Sequence, residues 1–219
     1  MERNQDKKAA RAHARSLLKD LIAAERESQS QKAAASFLNS SIYKNAECVA
    51  AFYPLAEEVD VLPIIARAFL DKKLVLLPRV VAGSNAMDFY ELAAPVFGVE
   101  AVSESAAPVL GVETIMESLL AQTEANEWGI REPLESLPLI AKKDFPARAA
   151  ILVPGLAFAK DGRRLGRGKG FYDRYLAELL AQNPAFAAQG KICGYCMEVQ
   201  VADYVPIKEN DILTQALFY

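Results

Sequence analysis

The sequence predicts one α/β domain in three layers, α/β/α, with a mainly parallel, Rossmann-like sheet in the middle. Three observations carry that expectation. Short apolar segments of strand length alternate with segments of helix length. The strand segments lack the polar–apolar alternation of a half-exposed sheet, so helices are expected over both faces. Finally, 219 residues, 52% of them hydrophobic, suit a single domain with a core of ordinary size.

The elements follow in order. Residues 5–26 are rich in Ala, Leu, Lys and Arg and hold no Gly or Pro, which predicts a first helix. Leu17, Leu18, Leu21 and Ile22 supply its apolar face. Ser28 or Ser30 would start a second helix reaching about residue 38. Cys48-Val49-Ala50-Ala51-Phe52-Tyr53 reads as a buried strand ended by Pro54. Residues 61–71 read as helix, and Leu74-Val75-Leu76-Leu77 as a strand ended by Pro78. Ala150-Ile151-Leu152-Val153 is another strand followed by proline. A helix over about 171–182 and a strand over 191–196 complete the pattern.

One stretch departs from it. Ala93-Ala94-Pro95-Val96-Phe97-Gly98-Val99-Glu100 is echoed at residues 106–113 by Ala106-Ala107-Pro108-Val109-Leu110-Gly111-Val112-Glu113. A solenoid needs at least about three stacked repeats, so two copies do not make one. The expectation is a single domain over 1–219 carrying a duplicated loop insertion at about 93–118.

The formal net charge of −3 argues against non-specific nucleic-acid binding, which needs an electropositive surface. The first residues, Met1-Glu2-Arg3-Asn4-Gln5-Asp6-Lys7-Lys8, are too charged for a secretory signal. The longest uncharged apolar stretch, residues 149–159, contains Pro154 and Gly155 and falls short of the roughly 20 residues of a membrane span. A soluble, cytoplasmic monomer with no nucleic-acid or membrane partner is expected. Cys48, Cys193 and Cys196 cannot all pair, in keeping with a reducing compartment. Cys193-Gly194-Tyr195-Cys196 has C-x-x-C spacing. It lies in an apolar strand-like run instead of opening a helix, where a thiol pKa is lowered. A buried structural role is expected.

The segment with most chemistry is Arg164-Leu165-Gly166-Arg167-Gly168-Lys169-Gly170-Phe171-Tyr172-Asp173. A strand enters it and a helix leaves it, and at such a junction free amides and the helix dipole favour an anion. Gly166, Gly168 and Gly170 let the backbone approach a ligand closely. Arg164, Arg167 and Lys169 add cations to the same site. Gly170 stands where a Walker A loop has Ser or Thr, and the spacing is not G-x-G-x-x-G. The local reading is a phosphate site of unnamed chemistry. Asp173 could cap the following helix or hold Mg²⁺. Phe171 and Tyr172 could stack on a flat ligand or pack in the core. Lys7, Arg11, Arg15 and Lys19 share one helix face, the usual sign of solvated surface unless that face lies near the loop.

With its flanking motifs, the chain resembles the 5-formyltetrahydrofolate cyclo-ligase (5,10-methenyltetrahydrofolate synthetase) family. The likeness is carried by Pro154-Gly155-Leu156-Ala157-Phe158, Gly162 and the run from Arg164 to Asp173. On the N-terminal side it takes in Lys7 with Arg11, Tyr53-Pro54-Leu55, Glu57-Glu58-Val59-Asp60, Leu77-Pro78-Arg79 and Met87-Asp88-Phe89. Trp128-Gly129-Ile130-Arg131-Glu132-Pro133 precedes the loop, and Gln200, Val205-Pro206 and Glu209-Asn210-Asp211 follow it.

The resemblance implies an ATP-driven ligase. The formyl oxygen of 5-formyltetrahydrofolate would be phosphorylated, N10 would attack the activated carbon, and loss of phosphate would close the 5,10-methenyl ring. It implies that Lys7, Arg11 and Arg164, Leu165, Gly166, Arg167, Gly168, Lys169, Gly170, Phe171 and Tyr172 contact ATP. Arg164, Arg167 and Lys169 would spread the charge of the transferring phosphoryl group. Tyr53, Glu58 and Tyr172 would face the folate, and Asp173 with Asp211 would hold Mg²⁺. Arg15 and Lys19 remain surface residues. Three departures from the family pattern stand out: Ala159 in place of a frequent Asp, Phe171 in place of the first of two tyrosines, and a longer stretch over 93–127. Two alternatives remain: a non-catalytic folate- or nucleotide-binding protein, and a ligase or kinase acting on a related pterin.

Overall fold

The computed structural model describes residues 2–95 and 107–219, with side chains from residue 6 to 95 and from 113 onward. Its centre is a seven-stranded sheet. The strands are β1 (Cys48–Ala50), β2 (Leu74–Val80), β3 (Met87–Glu91), β6 (Leu139–Ile140), β7 (Ala149–Val153), β10 (Lys191–Tyr195) and β11 (Ala216–Phe218), in the spatial order β11-β10-β7-β1-β2-β3-β6. β11, β10, β7, β1 and β2 run parallel. β3 is antiparallel to β2, and β6 to β3. Two further ribbons, β4 (Thr123–Ala125) with β5 (Arg131–Pro133) and β8 (Ala157–Phe158) with β9 (Arg164–Leu165), stand apart from the sheet.

Helices cover both faces, as expected of strands apolar throughout. Val49, Val75, Leu77, Leu152 and Tyr195 point into one cluster, shared with α1 (Glu2–Asp20), α2 (Ala23–Asn39), α3 (Ser41–Asn45), α4 (Leu62–Leu70) and α5 (Ala107–Ala121). The neighbouring strand residues Cys48, Leu76, Ile151, Val153 and Ile192 point into the other, with α6 (Phe171–Gln182) and α7 (Pro184–Gln189). Successive residues of a strand face opposite ways, so these apolar runs feed two cores at once. Each large side chain so buried, such as Phe37 or Phe89, contributes about 1.5–3 kcal/mol by leaving water.

The boundaries differ from expectation at several places, each with a local cause. The first helix stops at Asp20 and does not run on to residue 26. The Arg26 guanidinium donates to the carbonyls of Leu18 and Leu21, capping the end of α1. The Glu25 carboxylate accepts from Ile22 N–H, so α2 starts at Ala23 without either serine. Ser30 is buried inside α2, where its hydroxyl accepts from Asp60 N–H at 3.0 Å. Pro78 does not end β2, which continues to Val80. The Leu76 carbonyl accepts from Ala51 N–H on the β1 side. By the two-residue period, the nitrogen of Pro78 faces that same side, past the end of β1, where no ladder bond is needed.

Of the duplicated stretch, residues 96–106 lie outside the described residues. From Ala107 the second copy is helix, within α5, so it is no loop there. The C-x-x-C pair is split by the sheet: Cys193 belongs to one core cluster and Cys196 to the other. All three cysteines are buried and free. Burial pushes the Cys193 thiol up to about 12, and those of Cys48 and Cys196 higher still. The structural role holds. No described helix is long and apolar enough to cross a membrane.

The chain moves one way from β1 to β2, and the other way from β7 through β10 to β11. Between β1 and β7 the connections therefore diverge at the carboxyl ends of the strands, the usual position of a ligand crevice in such sheets.

Candidate active site

That crevice holds a cavity of about 890 Å³, at the upper end of the roughly 300–1,000 Å³ common for small-molecule sites. It is built where chain segments leave their strands. After β1, a tight turn forms: Glu58 N–H donates to the Leu55 carbonyl, and the Glu58 carboxylate accepts from Leu55 N–H. The reciprocal pair turns Glu58 inward beside Phe52, Tyr53 and Leu55. After β7, Pro154 and Gly155 line the floor. A Cβ on Gly155 would come within 2.7 Å of the Phe158 ring, so only glycine fits between ring and cavity.

The β8–β9 ribbon brings the chain back into the crevice. Its turn depends on Gly162, with φ +92, where a Cβ would lie 2.4 Å from the Thr214 carbonyl oxygen. From Arg164 the glycine-rich loop runs along the cavity to the start of α6. Gly170 takes the left-handed conformation, φ +71, and gives α6 no side-chain cap. The first amides of the helix therefore remain donors. Gly168 is required by its backbone, φ +114, and lies against Arg11, whose guanidinium would be in ordinary contact with a Cβ there. Arg11 Nε in turn donates to the Gly166 carbonyl at 3.0 Å. The N-terminal helix thus lies against the loop. Lys7 and Arg11 line the cavity, whereas Arg15 and Lys19 are exposed, as the division of the basic stripe anticipated.

Charges here are arranged in pairs. Lys7, buried, is ion-paired with Asp211. Asp211 Oδ2 also accepts from Lys208 N–H at 2.6 Å. Arg164 Nη2 meets Asp173 Oδ1 at 2.8 Å, and Ile212 N–H reaches the same oxygen at 3.3 Å. Arg167 forks onto Glu58 and Glu57. Burial works against the charged form of Arg167, but the carboxylates of Glu58 and Glu57 outweigh it and hold the guanidinium above its ordinary pKa. Lys169 has no protein partner for its ammonium among the described residues. Two buried polar atoms are likewise unpaired, Arg164 Nε and the Tyr172 hydroxyl. Burial, with Glu58 nearby, raises the Tyr172 pKa despite the opposing Arg164, so the phenol stays neutral and able to donate. Buried polar atoms are rarely left without partners, and both of these belong to residues that line the cavity.

The facing wall is apolar and aromatic: Tyr53, Pro78, Val80, Met87, Trp128 and Ile130. The β4–β5 hairpin carries Trp128 in a turn where Asn126 Oδ1 accepts from the N–H groups of Trp128 and Ile130. Arg131, 5.9 Å from the Tyr53 ring, is held by the Leu120 and Thr123 carbonyls and the Thr123 hydroxyl. Arg79 anchors the hairpin through the Pro133 carbonyl, Glu124 and Glu135. The Glu132 carboxylate accepts from Val80 N–H at 3.2 Å.

Of the residues expected at the site, Lys7, Arg11, Tyr53, Glu58, Arg164, Gly166, Arg167, Gly168, Lys169, Gly170, Phe171, Tyr172, Asp173 and Asp211 all line this one cavity. Leu165 does not: its side chain packs in a small cluster with Ala159 and Val205, because β9 turns alternate residues in and out. Asp173 is no cap for its own helix, since its carboxylate points to Arg164 and Ile212. Lining residues to which sequence reasoning gave no role include Glu57, Pro78, Val80, Met87, Trp128, Ile130, Arg131 and Lys208. A signal existed for some of them. Pro78 and Pro154 each follow an apolar strand run in the sequence, which places both toward the carboxyl ends of parallel strands, and both line the cavity.

No cluster of three or more potential metal-binding side chains occurs among the described residues. Mg²⁺ bound with a nucleotide needs only one or two carboxylates, the rest being phosphate oxygens and water. Asp173 uses only Oδ1 and Asp211 only Oδ2 for protein donors, so each keeps an oxygen free of them. The two fit that part.

Fold and site together define the class: a doubly wound α/β protein with a crevice at its switch point lined by a glycine-rich, cationic loop. The sequence matches the model of the 5-formyltetrahydrofolate cyclo-ligase family over residues 3–219, and the chain belongs to that family. It is accordingly an enzyme, a folate-processing ligase. The mouse 5-formyltetrahydrofolate cyclo-ligase is 28% identical over 216 residues, covering 99% of this chain and 94% of the mouse protein. A probable 5-formyltetrahydrofolate cyclo-ligase of Caenorhabditis elegans is 24% identical, covering 97% and 92%. The NMR structure of 5,10-methenyltetrahydrofolate synthetase from Aquifex aeolicus superimposes with a TM-score of 0.65 at 24% identity, over 100% of this chain and 89% of that one. The Mycoplasma pneumoniae 5,10-methenyltetrahydrofolate synthetase gives 0.63 at 19% identity, over 97% and 98%. Both likenesses bear on the fold.

Proposed function

We propose that the cavity binds Mg-ATP and 5-formyltetrahydrofolate side by side and yields 5,10-methenyltetrahydrofolate, ADP and phosphate. The observation that carries this reading is that one cavity has two unlike walls. One wall is a glycine-rich run of amides and cations, and the other is aromatic and apolar with an inward carboxylate. Lys7, Arg11 and the loop from Arg164 to Gly170 would hold the polyphosphate through amides, ammonium and guanidinium groups. Arg164 and Lys169 would take up charge on the transferring phosphoryl group, a weak nucleophile such as an amide oxygen needing that help. The neutral Tyr172 hydroxyl, unpaired and beside Arg164, would donate to ligand oxygen. Tyr53 and Trp128 would flank the folate ring, and Glu58 would accept its N–H groups. Asp173 and Asp211 would hold Mg²⁺, which would neutralise phosphate charge. Every group used lies on one chain, and the reading takes the enzyme to be a cytoplasmic monomer.

The test is absorbance of the methenyl product together with ADP release, each dependent on 5-formyltetrahydrofolate. Both are expected to rise in step. Ligand binding without turnover would favour a non-catalytic binding protein, and ADP release without the chromophore would favour a different pterin substrate.

A further inference from the structure

The Glu58 side chain is only 9% exposed, and both its oxygens are engaged. Oε2 accepts from Leu55 N–H at 3.1 Å. Oε1 takes two donors from a single guanidinium, Arg167 Nε at 3.0 Å and Nη2 at 2.9 Å. Nη2 is shared with Glu57 Oε1 at 3.1 Å. A loop cation is therefore folded across the cavity onto the carboxylate of the facing wall. One oxygen has room for about two donors, so a flat heterocycle cannot bring its N–H groups to Oε1 while Arg167 stays.

Resting on the function proposed above, we infer that Arg167 couples the two substrates: polyphosphate draws it away from Glu58, and Glu58 so released takes the folate ring. Each substrate alone is penalised. Folate alone must displace a charged, two-point partner. Nucleotide alone pulls Arg167 away and leaves the inward Glu58 carboxylate with the Leu55 N–H but without its cation, which is unfavourable. With both bound, the guanidinium meets phosphate, for which its fork is suited, and the carboxylate meets ring N–H donors. The Arg167 side chain is 37% exposed and its second partner, Glu57, is 47% exposed, so water screens that pair and it does little to hold Arg167 in place. Thermodynamic linkage makes the effect reciprocal.

The experiment is calorimetric titration of the full chain with 5-formyltetrahydrofolate, with and without a non-hydrolysable Mg-ATP analogue, and the reverse titration. Each ligand is expected to tighten the other by at least about fivefold, the lower end of ordinary coupling. In Arg167→Gln the coupling disappears, and folate binds the nucleotide-free variant more tightly than it binds the nucleotide-free parent. Arg167→Lys, which keeps a cation for Glu58 without the fork, retains part of the coupling. Independent binding in the parent, or undiminished coupling in Arg167→Gln, overturns the inference and leaves the proposed function standing. If the parent binds neither ligand, both fall.

Discussion

The two walls of the cavity are built in opposite ways. The cationic wall is almost continuous in sequence: one strand end, a glycine-rich loop and one helix start, with Lys7, Arg11 and Asp211 laid against it. The apolar wall has no continuous segment. It is assembled from the turn after β1, the end of β2, Met87 of β3 and the β4–β5 hairpin, tied together by Arg79 and Glu132. The difference follows from the ligands each wall suits. Phosphate oxygens are met by amides and cations, which a dozen consecutive residues can present. A flat ring needs broad apolar surface, which only several elements together provide.

The largest expected effect falls on the cationic wall. Asp173→Ala should lower turnover by about two orders of magnitude or more, the scale on which loss of one positioned charge-stabilising group acts. It also strips the nearly buried Arg164 of its partner, so the thermal midpoint should drop too. Asp173→Asn keeps an acceptor for Arg164 and should recover stability without recovering turnover. Wild-type activity of either variant at limiting Mg²⁺ contradicts the metal role.

Next come two glycines, one in the turn of each ribbon that supports a wall. Gly162→Ala must place a Cβ 2.4 Å from the Thr214 carbonyl oxygen at φ +92, while Gly129→Ala meets open space at φ +75. The second should cost about 1–2 kcal/mol for the left-handed backbone alone, and the first distinctly more, as read by urea denaturation. Equal losses would mean that the β8–β9 turn yields as freely as the hairpin turn.

Arg79→Ala should act on the apolar wall only. Releasing the hairpin is expected to raise KM for 5-formyltetrahydrofolate severalfold with KM for ATP unchanged; a matched rise in both would mean that the walls are not separable. The core behind both walls responds least. Its buried thiols keep their protons in the folded chain, Cys193 up to about 12 and the others higher, while unfolded thiols ionise near pH 8.5. Above that pH the unfolded chain binds fewer protons, so stability should fall as pH rises, by a few tenths of a kcal/mol per thiol near pH 8.5. Urea midpoints that do not change between about pH 7 and 9 would contradict that burial effect.

The same contrast separates what could be read in advance from what could not. The parallel strands β1, β2, β7 and β10, with α4 and α6, were legible because their apolar patterns are local, whereas the three-residue β11 was not. β3, β4, β5 and β6 were not: they are short, and their register is set by partners far away in sequence. The break between α1 and α2 was hidden because it depends on Arg26, whose side chain also reaches the Glu57 carbonyl. Leu165 was read as a ligand contact from its place in the motif, and only the pairing of β9 with β8 shows that it turns inward.

What the sequence by itself determined is the α/β class, the glycine-rich, cationic make-up of the loop and most of the charged residues around it. Glycine spacing, cation content and apolar runs are properties of neighbours along the chain, and the physics that reads them is short-ranged. What only the tertiary structure decided is the pairing. It joined Lys7 to Asp211, Arg164 to Asp173 and Arg167 to Glu58, and it closed the cavity with a hairpin from a different part of the chain. Ion pairs in a crevice depend on distances of a few ångströms between segments up to 204 residues apart, and those distances exist only once the sheet has ordered its strands.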